Sequence, residues 1–403
     1  MQRNEIIRLL KNPKAKAFVL SNWTANPHDL ALSKRKGDDF DVKVATQILH
    51  LYHKAAQKIP LWSEKMLALD RRSFEQSTPQ VVAEFRPQLI SGLKLLDLSA
   101  GLGVDSTFLS TSFREVLTLE SNDKLVEFEK YNDQQLLKTN ISRFCDDSIH
   151  WKKYCEGVDV LFVDPDRRDE GGKRLYGLEE SQPPVLDMLS EFLERVDDVY
   201  IKSSPLLDIS IAKTYDQRLK ALYVIAVDDE VKETLLHYNA EHYGKPEIVS
   251  VDLGKTTQLI KNTTLILKLE GMNDNNSKMG KANYLYEPSA AIRKAGIGKK
   301  YASSFSMSFI NTKSEYYLSH SLTKNWCGRV WEISSKSPVN WSTLKKEFKQ
   351  RGLSKAHILR KHFPDSAQVI RKRLNLSEGG DTYLVFAKNS QNKAECYQCK
   401  RLQ

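Results

Sequence analysis

The spacing of apolar residues changes along the chain. Over residues 1–90, apolar positions recur at steps of three and four, as in Val44, Ile48, Leu49 and Tyr52, which is the period of an amphipathic helix. From Leu93 onward, short apolar runs of strand length alternate with stretches long enough for helices. The runs are LKLLDL, VLTLE, VDVLFVD, DVYIKSS, ALYVIAV, EIVSVDL and TLILKL. This alternation predicts a doubly wound α/β sheet after a helical N-terminal region.

The last apolar run is followed by GMNDNNSKMGKAN, which is rich in Gly, Asn and Lys and reads as a linker. We therefore predict four regions, a helical region at 1–90, an α/β domain at 91–270, and two small C-terminal segments at 281–340 and 341–403.

Composition sets broad limits on the function. The chain has 403 residues, of which 40% are apolar, and this excludes fibrous and disordered classes. The charged N-terminus does not resemble a signal peptide, and there is no apolar run long enough to span a membrane, so we expect a cytoplasmic protein. Five cysteines, thinly spread, are expected to remain reduced.

The positive charge is concentrated at the C-terminus. The net charge is +10, and residues 341–403 alone carry 14 Lys and Arg against 5 Asp and Glu. Such a segment is either an ordinary solvated surface or a module that holds a polyanion, and RNA is our hypothesis for the polyanion.

One segment has the pattern of a nucleoside-binding turn. In LKLLDLSAGLGVDSTFLS, a strand ends at Asp97, and Gly101 and Gly103 form a tight turn before a helix. The spacing is not GxGxxG, which disfavours a nicotinamide cofactor. The next strand ends at Glu120, whose carboxylate is placed to accept hydrogen bonds from a ribose. The alternative is a plain turn followed by a surface glutamate.

At these motifs, residues 93–269 resemble the class I S-adenosylmethionine-dependent methyltransferases, with LDLSAGLG as first motif and LTLESND as second. The resemblance implies a Rossmann-like fold and S-adenosylmethionine as the cofactor. The cofactor-binding residues that it implies are Asp97, Ser99, Gly101, Gly103, Asp105, Ser106, Glu120, Asp147 and Gln76. Asp147 ranks before Asp146 beside the adenine, and Ser77 accompanies Gln76, with an N-cap role for Ser77 as the alternative.

The fourth run continues as DPDRR, which places candidate catalytic residues Asp164, Pro165 and Asp166 at the carboxyl edge of the sheet. In amino-methylating relatives the matching motif holds the substrate nitrogen and ends in a stacking aromatic. Here Asp166 and Arg167 depart from it, so the stacking would have to come from another residue, and Tyr176 is a candidate.

Three cations near this edge are candidate substrate-binding residues, namely Arg167, Arg168 and Lys202. An arginine plane can stack on a base or bind a phosphate. The alternatives are ion pairs of the two arginines with Asp169 and Glu170, and a lysine whose ammonium extends to solvent at the sheet edge.

Residues 285–296 and 354–387 resemble the ferredoxin-like and THUMP-like C-terminal modules of a bacterial methyltransferase family. The resemblance implies small α+β domains at 281–340 and 341–403, without iron, and an RNA-binding role for the second. Its basic residues are Lys355, Arg360, Lys361, Arg371, Lys372 and Arg373.

The remaining motifs predict no metal site. Cys396 and Cys399 form a lone CxxC that is either a weak zinc motif or part of a frayed tail. Residues 379–381 are expected to form a turn before a strand, and Trp326, Trp331 and Trp341 to be core or interface aromatics.

We therefore predict a methyltransferase that uses S-adenosylmethionine to methylate an amino nitrogen of an RNA base. The alternatives are a methyltransferase for protein or a small molecule, and an RNA-binding protein that binds the cofactor without catalysis.

Overall fold

A computed structural model of the chain describes residues 3–26, 30, 39–166, 177–253, 282–311 and 313–402. The chain divides into two compact units, which comprise residues 1–222 with 234–246 and residues 223–233 with 247–403. The run TLILKL and nearly all of the predicted linker lie outside the described residues.

The first unit begins with helices, as the apolar spacing predicts. They are α1 (Arg3–Lys11), α2 (Pro13–Ser21), α3 (Val42–Lys58), α4 (Pro60–Glu64), α5 (Arg71–Gln76) and α6 (Gln80–Phe85). Asn12, Asp41 and Asp70 cap α2, α3 and α5 by accepting hydrogen bonds from backbone N–H groups of the first turn. The apolar face of α3 is fully buried at Ile48 and Tyr52.

Eight strands form the first sheet in the order β3-β2-β1-β4-β5-β7-β6-β8. Their bounds are β1 (Gly92–Asp97), β2 (Phe113–Leu119), β3 (Ile141–Phe144), β4 (Val160–Val163), β5 (Asp198–Ser203), β6 (Leu219–Val227), β7 (Glu230–Asn239) and β8 (Glu247–Leu253). The connecting helices are α7 (Val104–Leu109), α8 (Asp123–Gln135), α9 (Val185–Leu193) and α10 (Ile209–Ala212), with 3-10 turns at 86–88 and 148–153.

The first five strands pair in parallel, so their carboxyl ends share one edge. Strand order reverses between β1 and β4, which is where open α/β sheets form their ligand crevice. The N-terminal helices pack in one core with Leu102 and Val104, at the turn after β1 and the start of α7. The helical region therefore supports the edge that carries the predicted site.

Strand β7, which lies between β5 and β6 and pairs antiparallel with β5, was not among the predicted strands. Its first residues, EVKE, are mostly charged, so the apolar residues of its second half, LLHY, do not stand out as a strand-length run. The Asp228–Asp229 pair before it was a usable sequence signal, because aspartate is common in two-residue hairpin turns. Both residues have the positive φ that such turns require.

The second unit contains a seven-stranded sheet in the order β10-β11-β9-β12-β15-β14-β13. Its strands are β9 (Tyr284–Pro288), β10 (Ser308–Phe309), β11 (Tyr317–Ser319), β12 (Gly328–Pro338), β13 (His357–Arg360), β14 (Thr382–Lys388) and β15 (Ala394–Arg401). Its helices are α11 (Ala290–Lys294), α12 (Gly298–Ser304), α13 (Trp341–Gln350) and α14 (Ala367–Leu374).

The long strand β12 joins the two predicted C-terminal segments. It pairs with β9 from the first segment and with β15 from the second. One core cluster likewise contains Tyr316 and Trp331 together with Val385 and Tyr397. The boundary predicted after residue 340 thus falls inside one continuous sheet, because backbone pairing and side-chain packing both cross it.

Among the described helices, none combines the length and the apolar character that a membrane crossing requires.

Candidate active site

The turn after β1 has the conformation that its glycines predict. Gly101 and Gly103 have φ of 59° and 77°, in the left-handed region that disfavours residues with a Cβ. The Gly101 N–H donates to Glu120 Oε2 at 3.0 Å, so the turn and the end of β2 are tied together.

Glu120 follows β2 and is partly buried. Its second oxygen, Oε1, accepts the Asn122 N–H at 2.7 Å. Burial raises the pKa of this carboxyl although three backbone N–H groups favour its charged form. Each oxygen has a lone pair beyond these bonds, which suits a group expected to accept both hydroxyls of a ribose.

Asp97, the last residue of β1, is 1% exposed. Its Oδ1 accepts the Ser99 N–H at 3.0 Å, while Oδ2 has no hydrogen-bond partner within the described part of the chain. Burial raises the pKa of Asp97 to about 7, against the opposing effect of the Ser99 N–H. A cation placed beside this carboxyl would favour its charged form.

Ser99 connects the glycine turn to the end of β4. Its Oγ accepts the backbone N–H of Asp164 at 2.6 Å. The Asp164 side chain is 28% exposed, and its Oδ2 lies 2.5 Å from Lys202 Nζ at the end of β5. The two predicted site residues from different strands are therefore in direct contact.

The rest of the DPDRR motif is described only in part. Pro165 is buried, and Asp166 is exposed, with its backbone paired to Gln182 through two 2.8 Å hydrogen bonds. Arg167, Arg168 and Tyr176 lie outside the described residues, so their predicted substrate roles and the alternative ion pairs stay predictions.

Lys202 is held inside the protein. It is 8% exposed, and Nζ donates to Thr78 Oγ1 at 2.9 Å and lies 3.4 Å from Asp105 Oδ2. The alternative of a lysine that extends to solvent is wrong, because these acceptors fix the ammonium below the surface. Its predicted substrate-binding role stays a prediction.

Asp105 and Ser106, predicted near the methionine end of the cofactor, contact protein groups. Asp105 accepts from Thr78 Oγ1 at 2.7 Å and pairs with the fully buried Arg86 at 2.7 Å. Burial opposes its ionisation, but Arg86 and Lys202 hold the pKa of Asp105 below its usual value. Ser106 is fully buried, and its Oγ accepts from Arg143 Nη1 at 2.6 Å.

The turn after β3 distinguishes the two candidate aspartates beside the adenine. Asp146 accepts from His150, Tyr154 and Lys153, and these bonds, the one from His150 first, hold the pKa of Asp146 well below its usual value. Asp147 is exposed and accepts only from neighbouring groups at the start of the 3-10 turn. Its carboxylate is the one with capacity for a ligand.

Gln76 is exposed at the end of α5, as a candidate ligand contact should be. Ser77 ends α5, and its Oγ donates to the Phe74 carbonyl at 2.8 Å. The alternative of Ser77 as the N-cap of the next helix is therefore wrong, because Pro79 occupies the position before α6.

Four buried residues that support the site were not predicted from the sequence, namely Thr78, Arg86, Glu129 and Arg143. Arg143 on β3 donates to Glu129, Asp133 and Ser106 and lies behind Gly103. Charged residues inside otherwise amphipathic segments were the available signal. Their partners lie too far away along the chain for a spacing argument.

Five of the six predicted C-terminal basic residues fall into two groups, and the sixth, Arg360, donates to the Phe363 carbonyl at 3.1 Å. Arg371 pairs with Glu378, Arg373 with Asp365 at 2.8 Å, and Lys361 with the buried Glu287 at 2.7 Å. Lys355 and Lys372 are exposed, and no ion pair with another described residue involves them. Part of the predicted basic stretch is thus neutralised locally.

The CxxC pair is neither a frayed tail nor a shared ligand set. Cys396 and Cys399 are 3% and 2% exposed within β15, and they belong to different core clusters. Residues three apart on a strand point to opposite faces, so the two thiols cannot bind one ion. The described residues contain no group of three or more His, Cys, Asp or Glu suited to a metal.

The smaller C-terminal predictions agree with the structure. Gly379 and Gly380, both with positive φ, form the turn that enters β14. Trp326 and Trp331 are buried, and Trp341 is partly buried and stacks on Phe386 at 5.8 Å.

The residues at this edge fit S-adenosylmethionine, the cofactor that the resemblance implies. Asp97 supplies an unpaired buried carboxylate oxygen for a cation, and Glu120 supplies acceptors for hydroxyl groups. A Cβ built on Gly101 would approach no described atom closer than Ser99 O at 3.9 Å, so the turn leaves open space there.

Comparisons with known proteins bear on both halves of the chain. Residues 328–401 match the family model described as THUMP domain-like. A solved structure described as a "putative methyltransferase", from Porphyromonas gingivalis W83, matches with a TM-score of 0.78 at 22% identity. That match covers 97% of this chain and 98% of the other. The two proteins therefore share one fold over nearly their whole lengths.

Two further solved structures match only weakly. M. capricolum TrmK has a TM-score of 0.31 at 15% identity, over 43% of this chain and 70% of its own. A "putative RNA methyltransferase" from Pyrococcus horikoshii has a TM-score of 0.30 at 17% identity, over 45% and 92%. No curated protein sequence matches the chain. The predicted fold class, a Rossmann-like doubly wound α/β sheet with an N-terminal helical region and a small α+β C-terminal part, is confirmed.

Proposed function

We propose that this chain is an S-adenosylmethionine-dependent methyltransferase that acts on an amino nitrogen of an RNA base. The observation that carries the proposal is the shared edge of the sheet. There, Glu120 accepts the Gly101 N–H. Asp97 accepts the Ser99 N–H, and Ser99 Oγ in turn accepts the backbone N–H of Asp164. The turn after β1 therefore contacts the ends of β2 and β4.

In this proposal, Glu120 accepts hydrogen bonds from the ribose hydroxyls, and Asp147 receives the adenine amino group. Asp97 faces the cationic end of the cofactor. When bound, S-adenosylmethionine supplies an electrophilic methyl group. The absence of a Cβ at Gly101 keeps room for that ligand against the backbone.

Asp164 acts on the substrate side. Its carboxylate is 28% exposed, so one oxygen can receive a hydrogen bond from a substrate N–H while Lys202 holds the other. A neutral amine needs no base before it attacks, because its proton becomes acidic only after alkylation. The task of the protein is then alignment, which Asp164 and the backbone of Pro165 perform. Asp166, Arg167 and Arg168 remain candidates for holding the nucleotide around that nitrogen.

RNA as the substrate class is supported by the second unit. Its THUMP-like match is accompanied by exposed lysines on α13 and after it that pair with no described acid. They are Lys345, Lys346, Lys349 and Lys355. These lysines could contact several phosphates of a nucleic-acid backbone.

The test is transfer of radiolabelled methyl from S-adenosylmethionine to RNA, DNA and protein fractions of cells that lack the protein. We expect label in RNA with the wild-type chain and a loss of about 10²-fold or more with Asp164→Asn. The amide has only one acceptor oxygen, so when that oxygen contacts Lys202 its NH2 group faces the substrate N–H. Asp187→Asn, a change of the same kind at an exposed position on α9, should transfer label normally.

Calorimetry with the cofactor separates binding from transfer. Glu120→Ala should weaken cofactor binding, and Asp164→Asn should leave it nearly unchanged. Label in protein or DNA would show that the substrate belongs to that class and not to RNA. Cofactor binding without label in any fraction would favour a small-molecule substrate or a binding protein without catalysis.

A further inference from the structure

We propose that Lys202 is a positioning residue, which holds Asp164 Oδ2 so that Oδ1 is presented to the substrate amino group. This inference rests on the proposed function for its catalytic consequence. The contact itself is a property of the folded chain.

At least three acceptors of the described residues surround the ammonium group of Lys202. Nζ lies 2.5 Å from Asp164 Oδ2, 2.9 Å from Thr78 Oγ1 and 3.4 Å from Asp105 Oδ2. An ammonium carries three donors, so these contacts occupy its full donor capacity. A phosphate would have to displace one of them. We therefore assign Lys202 a task other than the phosphate contact that its place in the sequence suggested.

The anchor of Lys202 is rigid. Thr78 is 3% exposed, and its hydroxyl donates to Asp105 while it accepts from Lys202. Asp105 is fixed in turn by Arg86, which is fully buried and lies over the Phe162 ring. Two cations and two carboxylates thus alternate in one chain of contacts. Removing one member leaves a buried charge without its partner.

Asp164 is fixed from two directions. The glycine turn fixes its backbone through Ser99 Oγ, and β5 fixes its side chain through Lys202. A side chain locked in this way meets its target at one orientation, which is what alignment of a nucleophile requires. Lys202 from β5 contacts this carboxylate directly and links it to Asp105 on α7 and its partner Arg86, and Asp97 from β1 interacts with it electrostatically.

A double-mutant cycle with Lys202→Met, Asp164→Asn and both together tests the inference in the full chain. If Lys202 acts through Asp164, Lys202→Met lowers kcat by about 10²-fold with little change in KM for RNA. The double variant should then be no slower than Asp164→Asn alone. Lys245→Met, at an exposed position, is the matched control.

Two outcomes of this kinetic cycle would overturn the assignment. One is an additive loss in the double variant. The other is a raised KM for RNA with a smaller salt dependence and an unchanged kcat, which would identify a phosphate contact. If Lys202→Met does not fold, Thr78→Val replaces it, since it removes one anchor of the ammonium at nearly constant volume, and its kcat should fall in the same direction.

The melting temperatures of the wild type, the two single variants and the double variant test whether Lys202 and Asp164 are in contact. This measurement needs no substrate. Directly paired residues should show a strongly non-additive effect on thermal unfolding, and additive shifts would overturn the inference. Should the wild-type chain transfer no methyl group, the proposed function fails, while this cycle still decides whether Lys202 holds Asp164.

Discussion

Glu129 lies directly behind Gly103, so a Cβ at that glycine would come within 3.1 Å of Glu129 Oε1. Arg143 Nη1 would be 3.3 Å away on the same side. At Gly101, two residues earlier, the nearest atom would be 3.9 Å away. The first glycine of the turn faces open space and the second faces a buried ion pair.

Alanine at these two positions should therefore have different effects. Gly103→Ala adds a collision to an unfavourable φ and should lower the free energy of unfolding by about 2 kcal/mol or more. Gly101→Ala meets only the conformational penalty of about 1 kcal/mol, but its methyl group enters the space proposed for the cofactor. Denaturant unfolding and cofactor calorimetry on both variants measure the two effects separately.

The contrary result would be a Gly101→Ala protein that binds S-adenosylmethionine as tightly as the wild type. Alanine in place of Gly157, which also has positive φ but no described atom within 4 Å, controls for the backbone penalty alone.

Cofactor affinity should depend on pH through Asp97. Its pKa of about 7 means that the carboxyl is neutral in acid and becomes an anion as the pH rises through 7. Because the anion attracts a cationic ligand, affinity should increase with pH by at most about tenfold per unit and level off above the pKa. Calorimetry from pH 5.5 to 7.5 measures the slope, and Asp97→Asn should abolish it.

The same ionisation should reduce the stability of the unliganded chain. The folded pKa exceeds the ordinary value of 3.8, so the folded state binds more protons between those values. The free energy of unfolding should then fall from about pH 4 to about pH 7, relative to Asp97→Asn. A parallel pH dependence in both proteins would show that another group is responsible.

The sequence was sufficient to place four of the candidate residues at the ends of strands. Asp97, Glu120, Asp164 and Lys202 each follow an apolar run, and parallel strands bring such ends to one edge. The contacts among them were not accessible in this way. Lys202 is fixed by Thr78, which is 124 residues away and looks like an ordinary polar residue before a helix.

Exposed lysines of the second unit should control RNA affinity. Replacing Lys345, Lys346 and Lys349 by Gln should weaken binding and reduce the slope of log affinity against log salt by about 0.7 to 1 for each lost phosphate contact. Filter binding at several salt concentrations measures both quantities. The same number of charges removed at Lys11 on α1, Lys54 on α3 and Lys65 just after α4 serves as control.

Replacement of Arg373 should matter less than replacement of Lys372, because Arg373 already pairs with Asp365. An unchanged salt slope in the triple lysine variant would argue against α13 as a contact surface.

Removal of residues 341–403 should disrupt the second unit as a whole. The truncated chain lacks β15, the partner of β12, and exposes Trp331 and Tyr316, which are now 0% and 2% exposed. We expect proteolysis within 284–340 and loss of the corresponding melting transition. A fragment 1–340 that resists protease as the full chain does would contradict this expectation.

Composition alone cannot show whether residues 281–340 and 341–403 form two modules or one. The charge step near residue 341 is real, but it marks where exposed positions become basic and not where the core ends. Strand β12 lies upstream of the step, although its longest pairing is with β15. Strand pairing therefore joins β12 and β15, although they lie on opposite sides of the charge step in the sequence.

Cys396 and Cys399 point to opposite faces of β15, and the burial that raises the pKa of Cys399 to about 12 also shields its sulfur from solvent. A disulfide between them would need the strand to break first. Alkylating reagents should therefore react with these two thiols only when the sheet opens, and with the exposed Cys145 at once. The alkylation rates of Cys396 and Cys399 therefore report how often the second sheet opens, with one thiol on each of its faces.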